Sequence, residues 1–419
     1  MQKNKEPITM LNNSKRLRSG GLCACGALAG LLGGLPSASA EPNPYYFGGG
    51  LGLTHVSNIF RQAATTNGDR VATASLLAGL DQRFGRERLF GDASLQSNRY
   101  QRNDNLNNRS YTVSGGLDWA TLERISGTFS GSRSQALASY NVGNGVAPIF
   151  KKNVEDNTTL DAMARLGLVT RWSLQAGAGY RSRKFSADEY ASLEIRQRRL
   201  NVGLFYQPSS DLRLGISPRR TQDKYPRYTL VGGAYQSSEA RRNDIDLTAH
   251  WEPSGASSFD ARLSAGKSTH TGGVGRDFSG GTGQFSWKWQ PAARWVITTA
   301  ISRDTGLETS FFNTSIGNLS ADQNRLTTAL QISGNYELSS KIVLSAGASR
   351  ANSDRRDEFL DRSTDGHDRD SAYNLGARYQ YSRGVQFSCQ ISHQARDSST
   401  PQYVYTANSY GCNGQMTIN

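Results

Sequence analysis

The chain has 419 residues and a formal charge of +13; only 36% of it is hydrophobic, with a mean hydropathy of −0.57. No run beyond residue 40 is apolar and long enough for a helix across a bilayer, which excludes a helical membrane bundle. Yet 44 Gly, 18 Tyr, 15 Phe and 6 Trp stand among many Ser, Thr, Asn and Gln, a composition left either by disorder or by strands with one apolar and one wet face.

The first forty residues read as a secretory leader. Lys15, Arg16 and Arg18 precede the small, apolar run from Gly20 to Pro36, and Ala38-Ser39-Ala40 supplies an A-x-A cleavage pattern before Glu41. The expected division is a signal peptide at 1–40 and a mature chain at 41–419. Lipoprotein processing at Leu22-Cys23-Ala24-Cys25 would leave almost no apolar core before Cys25. Cleavage removes Cys23 and Cys25, leaving Cys389 and Cys412 for an oxidising compartment. Most of the positive charge stays on the mature chain, a surplus suited to an anionic partner.

Beyond the leader, alternation decides between disorder and strands. From Ser110 to Trp119, Tyr111, Val113, Gly115, Leu117 and Trp119 oppose Ser110, Thr112, Ser114, Gly116 and Asp118. The split recurs from Arg325 to Leu338, where Leu326, Leu330, Ile332, Tyr336 and Leu338 oppose Arg325, Thr327, Gln331, Ser333, Asn335 and Glu337. It returns in Tyr373 to Tyr381 and in Val385 to His393. Successive side chains on a strand point to opposite faces, so each segment has one greasy and one wet side.

A soluble β-sandwich alternates too, but its connections differ. Tight turns fall at Phe84–Leu89, Thr121–Ile125, Thr170–Ser173, Gln207–Leu212, Glu252–Ser258, Gln290–Trp295, Glu337–Ile342 and Tyr381–Val385. Between them lie longer, more polar stretches such as Asn141–Asp156, Arg220–Asn243, Arg303–Asp322 and Ala351–Asp370. Short and long connections alternating along a chain are the pattern of a transmembrane antiparallel up-and-down β-barrel, here all-β, with about 18 strands. All six Trp residues (119, 172, 251, 287, 289 and 295) flank the tight turns, as an interfacial girdle would. The even strand number puts both ends on one side, and the setting would be the outer membrane of a Gram-negative bacterium, in contact with its lipid and lipopolysaccharide.

The midpoint between Cys389 and Cys412 falls in the turn-like stretch Ser398-Ser399-Thr400-Pro401-Gln402. A hairpin centred there sets the two thiols opposite each other on the outward face, and a cross-strand disulfide is expected.

Parity assigns Arg165, Arg171, Arg181, Arg199, Arg213, Arg262, Lys288, Arg325 and Arg378 to the wet, lumen-facing side, as any barrel requires of charged residues. The inward acids read from the same pattern are fewer (Asp118, Asp161, Asp246, Asp260 and Glu337), so a net basic lumen that attracts anions is expected. No plug domain is evident, though loops could fold inward. No G-x-S-x-G, H-E-x-x-H or CxxC motif surrounds His55, His250, His270, His367 or His393, and parity puts Ser392 on the opposite face from His393. Neither an enzyme nor a cofactor is expected. The acidic stretch from Asp354 to Asp370 lacks EF-hand spacing and interleaves with Arg355, Arg356, Arg362 and Arg369, as a self-neutralised solvated loop would, so no metal site is expected.

Two segments carry a resemblance. His55-Val56-Ser57-Asn58-Ile59-Phe60-Arg61, and Arg276-Asp277-Phe278-Ser279-Gly280 leading into Trp287-Lys288-Trp289-Gln290-Pro291, resemble the EpsL-type outer-membrane barrels associated with exosortase B and exopolysaccharide biosynthesis in proteobacteria. The resemblance implies a role in moving extracellular polysaccharide across the outer membrane. No nucleotide-binding motif is present, so driving force would come from other components; an anionic exopolysaccharide and periplasmic export components are the expected partners, and nucleic acid is not. Two other readings remain open at this point: a general diffusion porin for small anionic solutes, and a structural or adhesive barrel acting through its outer loops.

Overall fold

The computed structural model describes residues 43–418 except 64–66, 122–123, 143–145, 147, 169–170, 272–276, 306–324 and 360–361. The expected leader therefore lies outside the described residues. The described chain forms strands β1 (Tyr45–Val56), β2 (Asp69–Phe84), β3 (Glu87–Tyr100), β4 (Asn108–Ala120), β5 (Ile125–Leu137) and β6 (Val154–Gly167). It continues with β7 (Trp172–Phe185), β8 (Ile195–Tyr206), β9 (Leu212–Val231), β10 (Ala234–Ser254), β11 (Ser257–Thr271) and β12 (Phe278–Trp289). The last six are β13 (Trp295–Asp304), β14 (Arg325–Glu337), β15 (Ile342–Phe359), β16 (Arg362–Ser382), β17 (Val385–Ser398) and β18 (Tyr405–Ile418).

Each strand pairs antiparallel with the next, and β18 returns to β1 from Phe47↔Ile418 to Val56↔Ser409. The 18-stranded sheet is thus a closed barrel in which each strand is hydrogen-bonded to a neighbour on both sides. The short turns lie at one end with both described termini, as the sequence predicts; the other end carries the β1–β2, β3–β4, β5–β6, β7–β8 and β17–β18 connections and the tight turn at Gly232 and Gly233.

The outward face is apolar where a soluble sheet would be wet. Leu51 is 73% exposed, Leu263 65%, Leu76 64% and Leu200 61%, while the alternate positions beside them turn polar side chains inward. Such a belt is stable only against hydrocarbon, and the barrel spans a membrane. Aromatic rings collect at the turn end of the belt. Trp251 stacks on Phe259 at 5.5 Å, Phe259 on Trp287 at 5.9 Å, and Trp287 on Trp289 at 5.4 Å.

Cys389 and Cys412 are opposite in the β17–β18 register and are joined as a disulfide on the outward face. The hairpin is centred where their spacing places it, with Pro401–Tyr403 forming a single 3-10 turn between the strands.

Two expected loops are strands instead. Residues 220–243 form the upper half of a β9–β10 ribbon, turned by Gly232 and Gly233 at φ 59° and 82°, a backbone region that side-chain-bearing residues avoid. Residues 351–370, including the acidic stretch expected as a solvated loop, continue β15 to Phe359 and open β16 at Arg362. Beyond the belt both faces of a strand are wet, so hydrophobic alternation stops although the hydrogen-bonded ladder does not.

Candidate functional site: the lumen wall and its mouth

Charged residues concentrate on the inward face of β6 to β12. Arg199 (β8) reaches Asp161 (β6) at 2.9 Å, lying across β7 at Gly179. A Cβ at Gly179 would sit 2.9 Å from Asp161 Oδ1 and 3.3 Å from Arg199 Nη2, so the ion pair can lie flat on the wall only over a glycine. Arg213 (β9) donates to Gln175 Oε1 at 2.9 Å and rests 4.3 Å from the Phe205 ring centre. Arg219 grips Asp246 through two bonds, at 2.8 and 3.1 Å, and Arg262 donates to Ser264 Oγ at 2.8 Å.

Higher on the same wall, Arg242 is 1% exposed and bonds Asp244 at 2.7 Å, Thr305 Oγ1 at 2.6 Å and Thr282 Oγ1 at 3.1 Å. Arg183 is buried against Phe185, its Nε and Nη2 donors finding no partner among the described residues, and Arg181 lies two residues below it on the same face. A guanidinium keeps its charge at any physiological pH, so this wall remains cationic wherever a carboxylate is not bonded to it.

Of the residues expected in the lumen, Arg165, Arg181, Arg199, Arg213 and Arg262 line this wall, and Lys288 stands exposed near its turn end. Arg378 faces inward from β16, across the barrel. Arg171 does not belong to the wall: it occupies the exposed turn before Trp172, where there is no strand to give it a face. The Arg325 side chain lies outside the described residues.

The expected shortage of inward acids is corrected. Asp81, Asp92, Asp223, Asp244, Asp368 and Asp370 also face the lumen, the last four on strand lengths expected as loops or at their margins. Among the described residues the inward acids therefore nearly match the bases, and the cationic excess is local to the β6–β12 wall. Arg183, Arg219, Arg242 and Arg396 were missed with them. The available signal was period two carried on through polar residues, as in Arg242-Asp244-Asp246.

At the loop end, connections fold over the mouth. Ile59, Phe60, Leu106, Tyr140, Val142, Ile149, Tyr190 and Leu193 form a buried apolar cluster drawn from four connections. Phe60 meets Tyr140 edge-on at 5.0 Å, and Tyr190 donates its hydroxyl to the carbonyls of Ser139 and Tyr140 at 3.0 and 2.9 Å. Burial raises the Tyr190 phenol far above its usual range, keeping it a donor. Arg396, facing inward on β17, donates to the Asn141 carbonyl at 2.9 Å and pairs with Asp370 at 2.6 Å. The β5–β6 connection thus reaches strands on the far side of β18 and β1, across the mouth.

The segment Asn58-Ile59-Phe60-Arg61 anchors this cover. Asn58 is 1% exposed, and its amide donates to the carbonyls of Gln62 and Thr406, both at 2.9 Å. Arg61, at φ 54°, reaches Gln394 Oε1 at 2.9 Å. Of the second segment, Asp277 accepts a bond from the His270 amide at 3.0 Å, and Phe278 packs beneath Arg242 at 5.1 Å.

No protein-family model and no curated protein matches the chain. Among solved structures, the outer membrane protein opdK from Pseudomonas aeruginosa is similar at 11% identity, with 89% of this chain and 98% of that chain covered and a TM-score of 0.46. OpdL from the same species gives 10% identity, 90% and 98% coverage and a TM-score of 0.44. The FrpB iron transporter from Neisseria meningitidis gives 12% identity and a TM-score of 0.45, over 84% of this chain and 62% of that longer one.

Proposed function

We propose that the chain is an outer-membrane channel whose cationic wall admits anionic carbohydrate, serving exopolysaccharide biosynthesis and export. The observation that carries the channel reading is the gathering of Arg181, Arg199, Arg213, Arg219 and Arg262 on neighbouring inward faces of a closed barrel, a charge that Asp161 beside Arg199 and Asp246 beside Arg219 offset only in part. Fixed cations on one wall lower the barrier to an anion and raise it to a cation. The polysaccharide cargo rests on the sequence resemblance. Residues 1–40 would direct export and be removed, and driving force would come from periplasmic partners.

One observation favours a second reading, a diffusion porin for small anions. The cover over the mouth leaves less room for a polymer than for a small solute, unless the β5–β6 connection shifts during passage.

Reversal potentials in planar bilayers under a salt gradient test the channel. Anion preference that falls in the Arg181→Gln, Arg199→Gln, Arg213→Gln triple variant supports it, and a cation-selective native pore overturns it. Gene deletion separates the cargoes: lost surface polysaccharide supports export, and lost uptake of small anions supports the porin.

A further inference from the structure

The outward face carries a second concentration of positive charge, unrelated to the lumen. Immediately above the apolar belt, on the loop side, Arg196 and Arg198 of β8, Arg220 and Lys224 of β9, Arg241 of β10 and Lys267 of β11 all point outward and are exposed. Parity fixes their face. Arg198 shares a side with Leu200 and Val202, Arg220 with Ile216, Arg241 with Ile245, and Lys267 with Leu263, all exposed belt residues.

The strand register makes these residues one patch. Leu200 pairs with Arg220, Arg220 with Asn243, and Asn243 with Lys267, which sets a row along the belt's upper edge. Arg198 and Arg241 both pair with Gln222, one step higher, and so flank Arg220 diagonally. Diagonal neighbours on one face of a sheet lie about 7–8 Å apart, near enough for several to grip one ligand. Among the described residues, Glu239 is the carboxylate paired within the patch, at 3.2 Å from Lys224 and 3.9 Å from Arg241.

Elsewhere at this height a smaller outward group, Arg70, Arg99 and Arg109, lies on β2 to β4, and other outward cations stand apart. Arg303 pairs across with Gly283 and Thr328, and Arg350 with Leu330 and Ser371, none of them charged. The patch on β8 to β11 is the larger of the two groups. Its cost in mutual repulsion is offset where anions sit beside it.

We propose that this patch binds the phosphorylated headgroup of a membrane glycolipid in the leaflet around the loop end of the barrel. Position and charge both select that occupant. Acyl chains lie against Leu200, Ile216, Ile245 and Leu263, and a headgroup phosphate then falls at the level of Arg198, Arg220 and Arg241. Guanidinium groups bind phosphate oxygens through paired, charge-assisted hydrogen bonds, and a lipid with two phosphates can span two of them. The site depends on the barrel lying in a membrane, not on what crosses its lumen.

The test is native mass spectrometry of the detergent-extracted full barrel, titrated with a bisphosphorylated, multiply acylated disaccharide lipid or with its dephosphorylated form. The native protein should hold the phosphorylated lipid at about tenfold lower concentration, a difference worth about 1.4 kcal/mol. The Arg198→Gln, Arg220→Gln, Arg241→Gln triple variant should lose that preference, while Arg303→Gln, Arg350→Gln should keep it. Heat-modifiable gel mobility checks that each variant is folded, and Arg220→Gln alone should lose part of the preference if the triple variant does not assemble. Equal retention of the two lipids by the native protein, an unchanged preference in a folded variant, or a second copy of the chain on this face in place of lipid would each overturn the proposal.

Discussion

Arg396 donates to the main-chain oxygen of Asn141 at 2.9 Å, tying β17 to a connection 255 residues earlier in the chain. The guanidinium is buried and pairs with Asp370 at 2.6 Å, so one side chain holds both the barrel wall and its cover. Removing it takes the paired cation away from buried Asp370, a change that costs about 3–5 kcal/mol when a buried pair loses one partner. Arg396→Gln should therefore loosen the cover more than the barrel. Single-channel conductance should rise and trypsin should cut within residues 138–153, with the folded gel band retained. Unchanged conductance would show that the cover does not restrict the pore.

The disulfide makes a separate claim on stability. Cys389 and Cys412 enclose a sequence separation of 23 residues, for which chain-entropy arguments give about 3 kcal/mol. Because the bond only staples strands already paired, the Cys389→Ser, Cys412→Ser variant should still assemble. The heat needed to convert its folded gel band should fall, and treating the native protein with reductant should produce the same drop.

Gly266 tests the close packing of charge on the wall. A Cβ there would fall 2.5 Å from the Asn243 carbonyl oxygen as well as against the Asp244 carboxylate, and the backbone contact cannot swing aside. Gly266→Ala should lower thermal stability by about 1–3 kcal/mol, the usual cost of overpacking. Gly281→Ala, beside open space, should not; its nearest neighbour is the Ser264 oxygen at 3.8 Å. Comparable loss in both would point to β-propensity in place of the clash.

Asp69, at the loop end of β2, links stability to pH. Burial would raise its carboxyl, but the Asn103 side chain and the main-chain N–H groups of Arg102, Asn103 and Arg70 bond it and hold it below the usual carboxylate range. A depressed folded value means that the stabilisation is fully present above the unfolded value of about 3.9, and is lost as pH falls through the folded one. Asp69→Asn should free the 101–107 connection at pH 7, read as faster trypsin cutting at Arg102. Native-like protection in that variant would show that ionisation contributes nothing there.

The fold was legible in the sequence because membrane strands write themselves twice. Tyr111, Val113 and Leu117 face lipid while Ser110, Thr112 and Ser114 face the lumen, and the tight turns give the strand count that the closed sheet has. The spacing of Cys389 and Cys412 also carries the register of the final hairpin. The illegible parts are those that leave the belt. Residues 220–243 and 351–370 have no greasy side, so a reading built on apolar alternation ended them early and lost Arg242, Asp244, Asp368 and Asp370 from the lumen.

The amino-acid order alone determines that this chain makes a closed, outward-apolar barrel, because hydrocarbon on one side and water on the other leave period two as the workable pattern. Which arginines stay open to an anion was decided only in three dimensions. Arg199 and Arg219 find carboxylates on other strands, and Arg396 finds both Asp370 and a connection folded over the mouth. Those partners lie 26 to 255 residues away in sequence, and closure of the sheet, with no local signal, brings them within hydrogen-bond reach.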